Sequence, residues 1–274
     1  MSKKVNLFII GAPKCGTTYL FEYLKQTVEC DMSSVKEPDF FSHDLLTRNV
    51  TYYKTQSIGN QVEYDQLFRL NQDFPYHGEA SVSYFTYPEV ARRIHTYNPE
   101  ARILILLRDP ALRAFSHYKM DRRLGYINTS FDSIINREYT GAFAEQFYDQ
   151  YITTGYYSRY VKTYFDQFGK NQICCIRDTT DMSHTIEQIS AFLNIPIQRI
   201  PETRVNQSVN FKSDLLKSLY TSRRTRKLFK AIIPPAMVSL ISTEDEKLPH
   251  ELNEKLTRLF KEDQHELKRI LDND

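Results

Sequence analysis

Two spacings of apolar residues alternate along the chain. Val5-Asn6-Leu7-Phe8-Ile9-Ile10 is a nearly continuous β-branched and apolar run, the pattern of a strand buried on both faces. From Thr17 to Gln26 the period lengthens, with Leu20, Phe21 and Leu24 on one face, which predicts a helix beyond a short turn. Arg102 to Leu107 predicts a second buried strand, and Pro110 opens the helix expected over Ala111 to Leu124 because the N–H it lacks is not needed there. Gln172 to Ile176 predicts a third strand. Before it, Tyr157, Tyr160, Val161, Tyr164, Phe165 and Phe168 recur at helical spacing; after it, a helix is expected from about Met182 to Leu193. A short strand is expected near His77 to Ala80. Strands alternating with helices point to an α/β protein with a central parallel sheet and helices on both faces. Near the end, Leu252, Leu256, Leu259, Phe260, Leu267, Ile270 and Leu271 mark a helix that docks on the core.

At 274 residues the chain has length for one ample core, so 1–274 is expected to be a single domain. Its 36 Lys and Arg against 34 acidic residues are too nearly balanced to argue for a nucleic-acid or membrane partner, so any anion site must be local. Charge is nevertheless segregated. Lys212, Lys217, Arg223, Arg224, Arg226, Lys227 and Lys230 stand against Asp214 alone within 212–230, whereas 244–274 carries ten acids and six bases. No stretch approaches the roughly 18 to 20 apolar residues of a membrane helix, and Met1-Ser2-Lys3-Lys4 leads into the first strand rather than a secretory core, so a cytoplasmic location is expected. Cys174 and Cys175 are adjacent and Cys15 sits in a loop; the four cysteines make neither a disulfide framework nor a metal-ligand spacing and read as reduced thiols.

Chemistry concentrates at two places. Gly11-Ala12-Pro13-Lys14-Cys15-Gly16-Thr17-Thr18 lies between the first strand and helix, where backbone N–H groups, the helix dipole, Lys14 and two hydroxyls form a cradle for a phosphate-like anion. A nucleotide triphosphatase would place its lysine after the last glycine and close a second strand with a magnesium-binding acid. Here Lys14 precedes Gly16 and the second strand ends in Arg108. The second place is Arg108-Asp109-Pro110-Ala111-Leu112-Arg113-Ala114-Phe115-Ser116-His117-Tyr118. Arg108 through its fork and Ser116 through its hydroxyl suit a second phosphate, although an Arg-Asp pair at a strand end is often structural.

Together these segments resemble the sulfotransferase superfamily. Val35-Lys36-Glu37-Pro38-Asp39-Phe40-Phe41 is similar to the Glu-x-x-Phe-Phe segment of its heparan sulfate (carbohydrate) branch, and Gly78-Glu79-Ala80-Ser81-Val82-Ser83-Tyr84-Phe85 resembles that branch's next motif. The resemblance is strong over 5–44 and 76–120, fair over 150–195 and poor beyond about 205. It implies a P-loop-like, nucleotide-kinase-like fold, with 3′-phosphoadenosine 5′-phosphosulfate (PAPS) as donor, adenosine 3′,5′-bisphosphate (PAP) as product and no metal. It places Lys14, Cys15, Gly16, Thr17 and Thr18 on the 5′-phosphosulfate, Arg108 and Ser116 on the 3′-phosphate, and Glu37 at the catalytic base. A base for the acceptor proton and a cation, Lys14, at the leaving oxygen suit in-line transfer. The implied acceptor is a hydroxyl or amine, by analogy on a carbohydrate. The sequence departs from the family at Ala80, where a lysine is common, at Asp39, where a histidine is expected, and in lacking a late disulfide and Lys-Gly-Arg loop; the Arg223 to Lys227 cluster replaces that cover or is a solvated face. His43, His77 and His117 are alternative bases, and Tyr84, Tyr118, Tyr156 and Tyr157 are core rings or stacking partners. A P-loop kinase or nucleotide hydrolase, and a non-catalytic nucleotide-binding protein, are the competing readings.

Overall fold

Five strands hold the apolar runs: β1 (Leu7–Gly11), β2 (Cys30–Met32), β3 (Tyr76–Ala80), β4 (Arg102–Leu106) and β5 (Ile173–Ile176). The computed structural model describes residues 3–48, 50–53, 56–196, 210–211, 242–243 and 246–273. Arg223, Arg224, Arg226 and Lys227 lie outside the described residues. Every strand pair in the sheet is parallel, in the order β2-β3-β1-β4-β5. All of β1 is buried, as a strand covered on both faces must be. The expected α/β architecture with a central parallel sheet is the one observed.

Among the described residues the α-helices are α1 (Thr17–Lys25), α2 (His43–Arg48), α3 (Gln61–Asp65), α4 (Pro88–Tyr97), α5 (Pro110–Leu124), α6 (Phe131–Ile135), α7 (Ala144–Tyr151), α8 (Tyr157–Phe168), α9 (Met182–Leu193) and a C-terminal helix (His250–Asn273). None of the described helices is long and apolar enough to cross a membrane. Pro110 does occupy the first turn of α5, and Asp109 caps it by accepting from Leu112 N at 2.8 Å. β2 has no counterpart in the sequence pattern, because it is three residues long with Asp31 in the middle. β1 starts at Leu7 rather than Val5, with Asn6 tied to its neighbour by hydrogen bonds to His77 and Pro75.

The strand order decides where a ligand can enter. β1 lies between β3 and β4, so the chain leaves the centre first to one side and later to the other. In open parallel sheets the crevice beyond the carboxyl ends at such a switch is the usual binding position. Gly11 ends β1 there, with φ 146°, and a Cβ on it would stand 2.7 Å from Phe85 Cβ. Only glycine lets the backbone turn so close to its neighbour.

A second apolar cluster joins α5, α6, α7 and the C-terminal helix through Phe115, Phe131, Phe147, Tyr151, Leu256 and Phe260. The C-terminal helix therefore docks on the core as its spacing predicts. Its Asp263 accepts from Tyr157 N at 2.8 Å and Ser158 N at 3.1 Å, capping α8 from more than a hundred positions away. Phe260 is 1% exposed and covers Gly155, whose Cβ would meet the Phe260 ring at 2.6 Å. Phe260→Ala is expected to cost about 3–5 kcal/mol of unfolding free energy, read as a lower urea midpoint.

Candidate active site

The loop from Gly11 to Thr18 is built by β1 and α1. Gly16, at φ 90°, is the N-cap of α1 and offers no side-chain cap, which leaves the first N–H groups of the helix for an anion. Met182, at the start of α9, packs over Gly16, and a Cβ there would stand 3.3 Å from its sulfur. Thr17 is buried and Thr18 partly so. Cys15 is buried inside the loop, its thiol pushed up to about 11 by burial against the opposing field of Arg113. It is a packing residue here, not a thiolate.

Lys14 leaves the loop at φ 72° and lays its Nζ 3.4 Å from Met120 Sδ on α5. Met120 is one turn beyond Ser116 on the same helix face, so Lys14 and Ser116 border one space. Burial lowers the Lys14 ammonium to about 8; Arg123 and Arg108 push the same way, while Asp121 opposes them. A lysine held among arginines, half-deprotonated near pH 8, is a group waiting for negative charge. The residues present fit an anionic group.

Arg108 follows β4, the neighbour of β1 on one side. On the other side, Glu37 is docked on the end of β3: its N–H donates to Ala80 O at 3.0 Å and its Oε2 accepts from Val82 N at 2.8 Å. Three adjacent carboxyl ends thus bring Glu37, the loop and Arg108 to one edge, across about 10 Å for two strand spacings. Glu37 Oε1 also takes Lys36 Nζ, and the Glu37 side chain remains one-third exposed. Glu37 and Asp39 both hold left-handed backbone, φ 65° and 51°, on either side of Pro38. Non-glycine residues in that region cost free energy and gather at functional sites.

The histidines are otherwise engaged. His77 lies near the amino end of β3, away from this edge, and is paired with Asp31 Oδ2 at 3.0 Å. His43 Nδ1 bonds Ser57 Oγ at 2.9 Å. His117 is buried under α5 and held neutral by desolvation and by the cations Arg113 and Lys14. Tyr84, Tyr118 and Tyr157 are core rings, and Tyr156 packs edge-on against Phe260.

A family model described as the sulfotransferase domain matches residues 4–267. The chain belongs to the sulfotransferase domain family. A crystal structure of a sulfotransferase from Alicyclobacillus acidocaldarius superposes with a TM-score of 0.71 at 26% identity, covering 99% of this chain and 97% of that one. The bifunctional heparan sulfate N-deacetylase/N-sulfotransferase 1 of Xenopus laevis is 26% identical over 203 residues, 69% of this chain and 22% of its own. Human heparan sulfate glucosamine 3-O-sulfotransferase 6 is 30% identical over 111 residues, 40% of this chain and 28% of its own. The chain spans less than a third of the length of each of these two relatives.

Three buried carboxyls lie close to these groups, and the sequence reading gave none of them a role. Asp121 is 1% exposed, accepts from Tyr52 at 2.7 Å and Tyr151 at 2.9 Å, and is the carboxylate whose field sustains the Lys14 charge. Its signal was the four-residue spacing of Arg113, His117 and Asp121 along α5. Glu79, wholly buried, is pushed up to about 7 by burial and accepts from Tyr64, Tyr84 and Ser81. Asp39 is raised from 3.8 to about 7, by burial first and by Glu37 second, against Ser83 and Lys36. Ser83 Oγ donates to Asp39 Oδ1 at 2.5 Å, so Val82 and Ser83, successive residues, hold the two carboxyls of the sulfotransferase loop.

Folding favours the protonated Asp39 carboxyl, so its contribution to stability falls as pH rises from about 4 to about 7 and is constant above. Asp39→Asn removes that loss. The stability of the variant relative to the parent is expected to be more favourable at pH 8 than at pH 5 in paired urea titrations.

Proposed function

We propose that this domain transfers a sulfuryl group from PAPS to a hydroxyl or amine of a carbohydrate acceptor. The observation that supports it most is the shared edge: a base-bearing segment on β3, an anion cradle on β1 and an arginine after β4, with Lys14 laid against the helix face that carries Ser116. Lys14, Cys15, Gly16, Thr17 and Thr18 hold the 5′-phosphosulfate; Arg108 and Ser116 hold the 3′-phosphate. Glu37, kept in place by Val82 N–H, accepts the proton of the acceptor as its oxygen or nitrogen bonds to sulfur. The bond from sulfur to the bridging phosphate oxygen breaks in line, and the Lys14 ammonium stabilises the charge that develops there. The carbohydrate acceptor is favoured by the relatives, one named a heparan sulfate N-sulfotransferase and the other a heparan sulfate glucosamine 3-O-sulfotransferase.

Isothermal titration with adenosine 3′,5′-bisphosphate in metal-free buffer tests the donor site. Lys14→Ala or Arg108→Ala is expected to weaken binding by about 2 kcal/mol, roughly thirtyfold in Kd. Binding of ATP with magnesium in its place would mark a kinase or hydrolase and overturn the assignment. Because Lys14 loses its proton near pH 8 in the empty site, affinity should fall between pH 7 and 9 with proton uptake on binding, and Lys14→Ala should abolish both effects. Glu37→Gln should leave bisphosphate affinity unchanged and lower kcat on an N-deacetylated heparosan by about a hundredfold or more. Unchanged kcat would remove Glu37 from the role of base; binding without turnover on any glycan would mark a non-catalytic protein.

A further inference from the structure

The buried side of α5 carries three ionisable residues at four-residue intervals, and their surroundings differ. Asp121 has two phenols on its carboxylate, and His117 Nε2 stands 3.9 Å from the same Oδ2. Arg113, at the other end, is 0% exposed. Its Nη2 donates to the carbonyl of Tyr151, while Nε and Nη1 have no close hydrogen-bond partner; the buried Tyr157 hydroxyl lies beside both Arg113 and the Cys15 thiol. Among the described residues, no carboxylate lies within ion-pair distance of Arg113. Its electrostatic companions are Tyr157, Cys15 and Tyr160, all uncharged near neutral pH.

A guanidinium taken wholly out of water without a counter-ion is among the least favourable arrangements a core can contain. Its position suggests what balances it. The Cys15 thiol, inside the anion cradle, lies in the fields of Arg113, Arg108 and Lys14. Arg113 therefore adds to the positive potential at the loop from a fully buried position.

We propose that Arg113 is an affinity-determining residue of the donor site, a buried cation whose counter-charge is the 5′-phosphosulfate of the donor or the 5′-phosphate of the product. This rests on the assignment of the loop to the 5′ end of the nucleotide. Arg113 acts through the loop rather than by touching the ligand, so it is a positioning residue and not a catalytic one. Two consequences of opposite sign follow. The empty domain is destabilised by Arg113, and the occupied domain is stabilised by it.

Thermal unfolding and isothermal titration of the full chain, as the parent, Arg113→Met and Arg113→Lys, separate these effects. Arg113→Met is expected to melt at the same or a higher temperature without ligand, to bind adenosine 3′,5′-bisphosphate at least tenfold more weakly, and to show a smaller rise in melting temperature with it. Adenosine 5′-monophosphate should lose affinity in the same ratio, whereas adenosine 3′-monophosphate should not. Arg113→Lys, which keeps the charge and gives up the fork, should bind the bisphosphate within about threefold of the parent. The proposal is overturned if Arg113→Met binds as the parent does, if both variants lose affinity equally, or if Arg113→Met lowers the ligand-free melting temperature or does not fold. A parent chain that ignores all three adenosine phosphates sinks the donor-site assignment as well; a parent that binds them while Arg113→Met binds equally well sinks this inference alone.

Discussion

Positive charge drawn to one loop at the carboxyl edge of a parallel sheet is the constraint on which the rest of this protein depends. Lys14, Arg108 and Arg113 all act on one loop, and the uncapped start of α1 adds its dipole to theirs. Desolvation first, and repulsion from Arg123 and Arg108 after it, disfavour the Lys14 charge when the site is empty. The surrounding packing must hold it. Buried β1, the close approach of Gly11 to Phe85 and the capping of α8 by Asp263 supply a frame that does not relax around the charges.

The acidic side of the same edge is arranged by a different physics. Glu37, Asp39 and Glu79 are brought near one another by the end of β3 and the turn after it, where three like charges would repel. Glu79 is satisfied by three hydroxyls and Asp39 by Ser83, and burial favours a proton on each. Glu37, paired with Lys36, is the one of the three that solvent reaches. Environment thus divides the work among groups of the same chemistry.

Much of this was legible in the chain. The strands at Leu7, Arg102 and Ile173, and the helices after the first two, follow from apolar runs and their period, because burial on both faces of a parallel strand leaves no room for polar residues. Lys14, Gly16, Thr17 and Thr18 are recognisable because an anion loop between strand and helix needs those residue types in sequence. β2 escaped because three residues with an aspartate among them have no period. Asp121 and Arg113 were visible only as members of an amphipathic helix, and nothing local distinguishes a buried guanidinium from one in water.

The sequence by itself determined the order of strands and helices, the anion loop and the family to which the chain belongs, since each depends on residues close together along the chain. Only the tertiary structure decided that β1 lies between β3 and β4, which sets Glu37 and Arg108 on opposite sides of one loop. It alone decided which carboxyls are buried, where desolvation favours a proton, and which buried cation has no counter-ion among the described residues. Those properties depend on desolvation and on charges tens of residues apart, and a side chain's exposure to water is fixed by what the remainder of the chain packs against it.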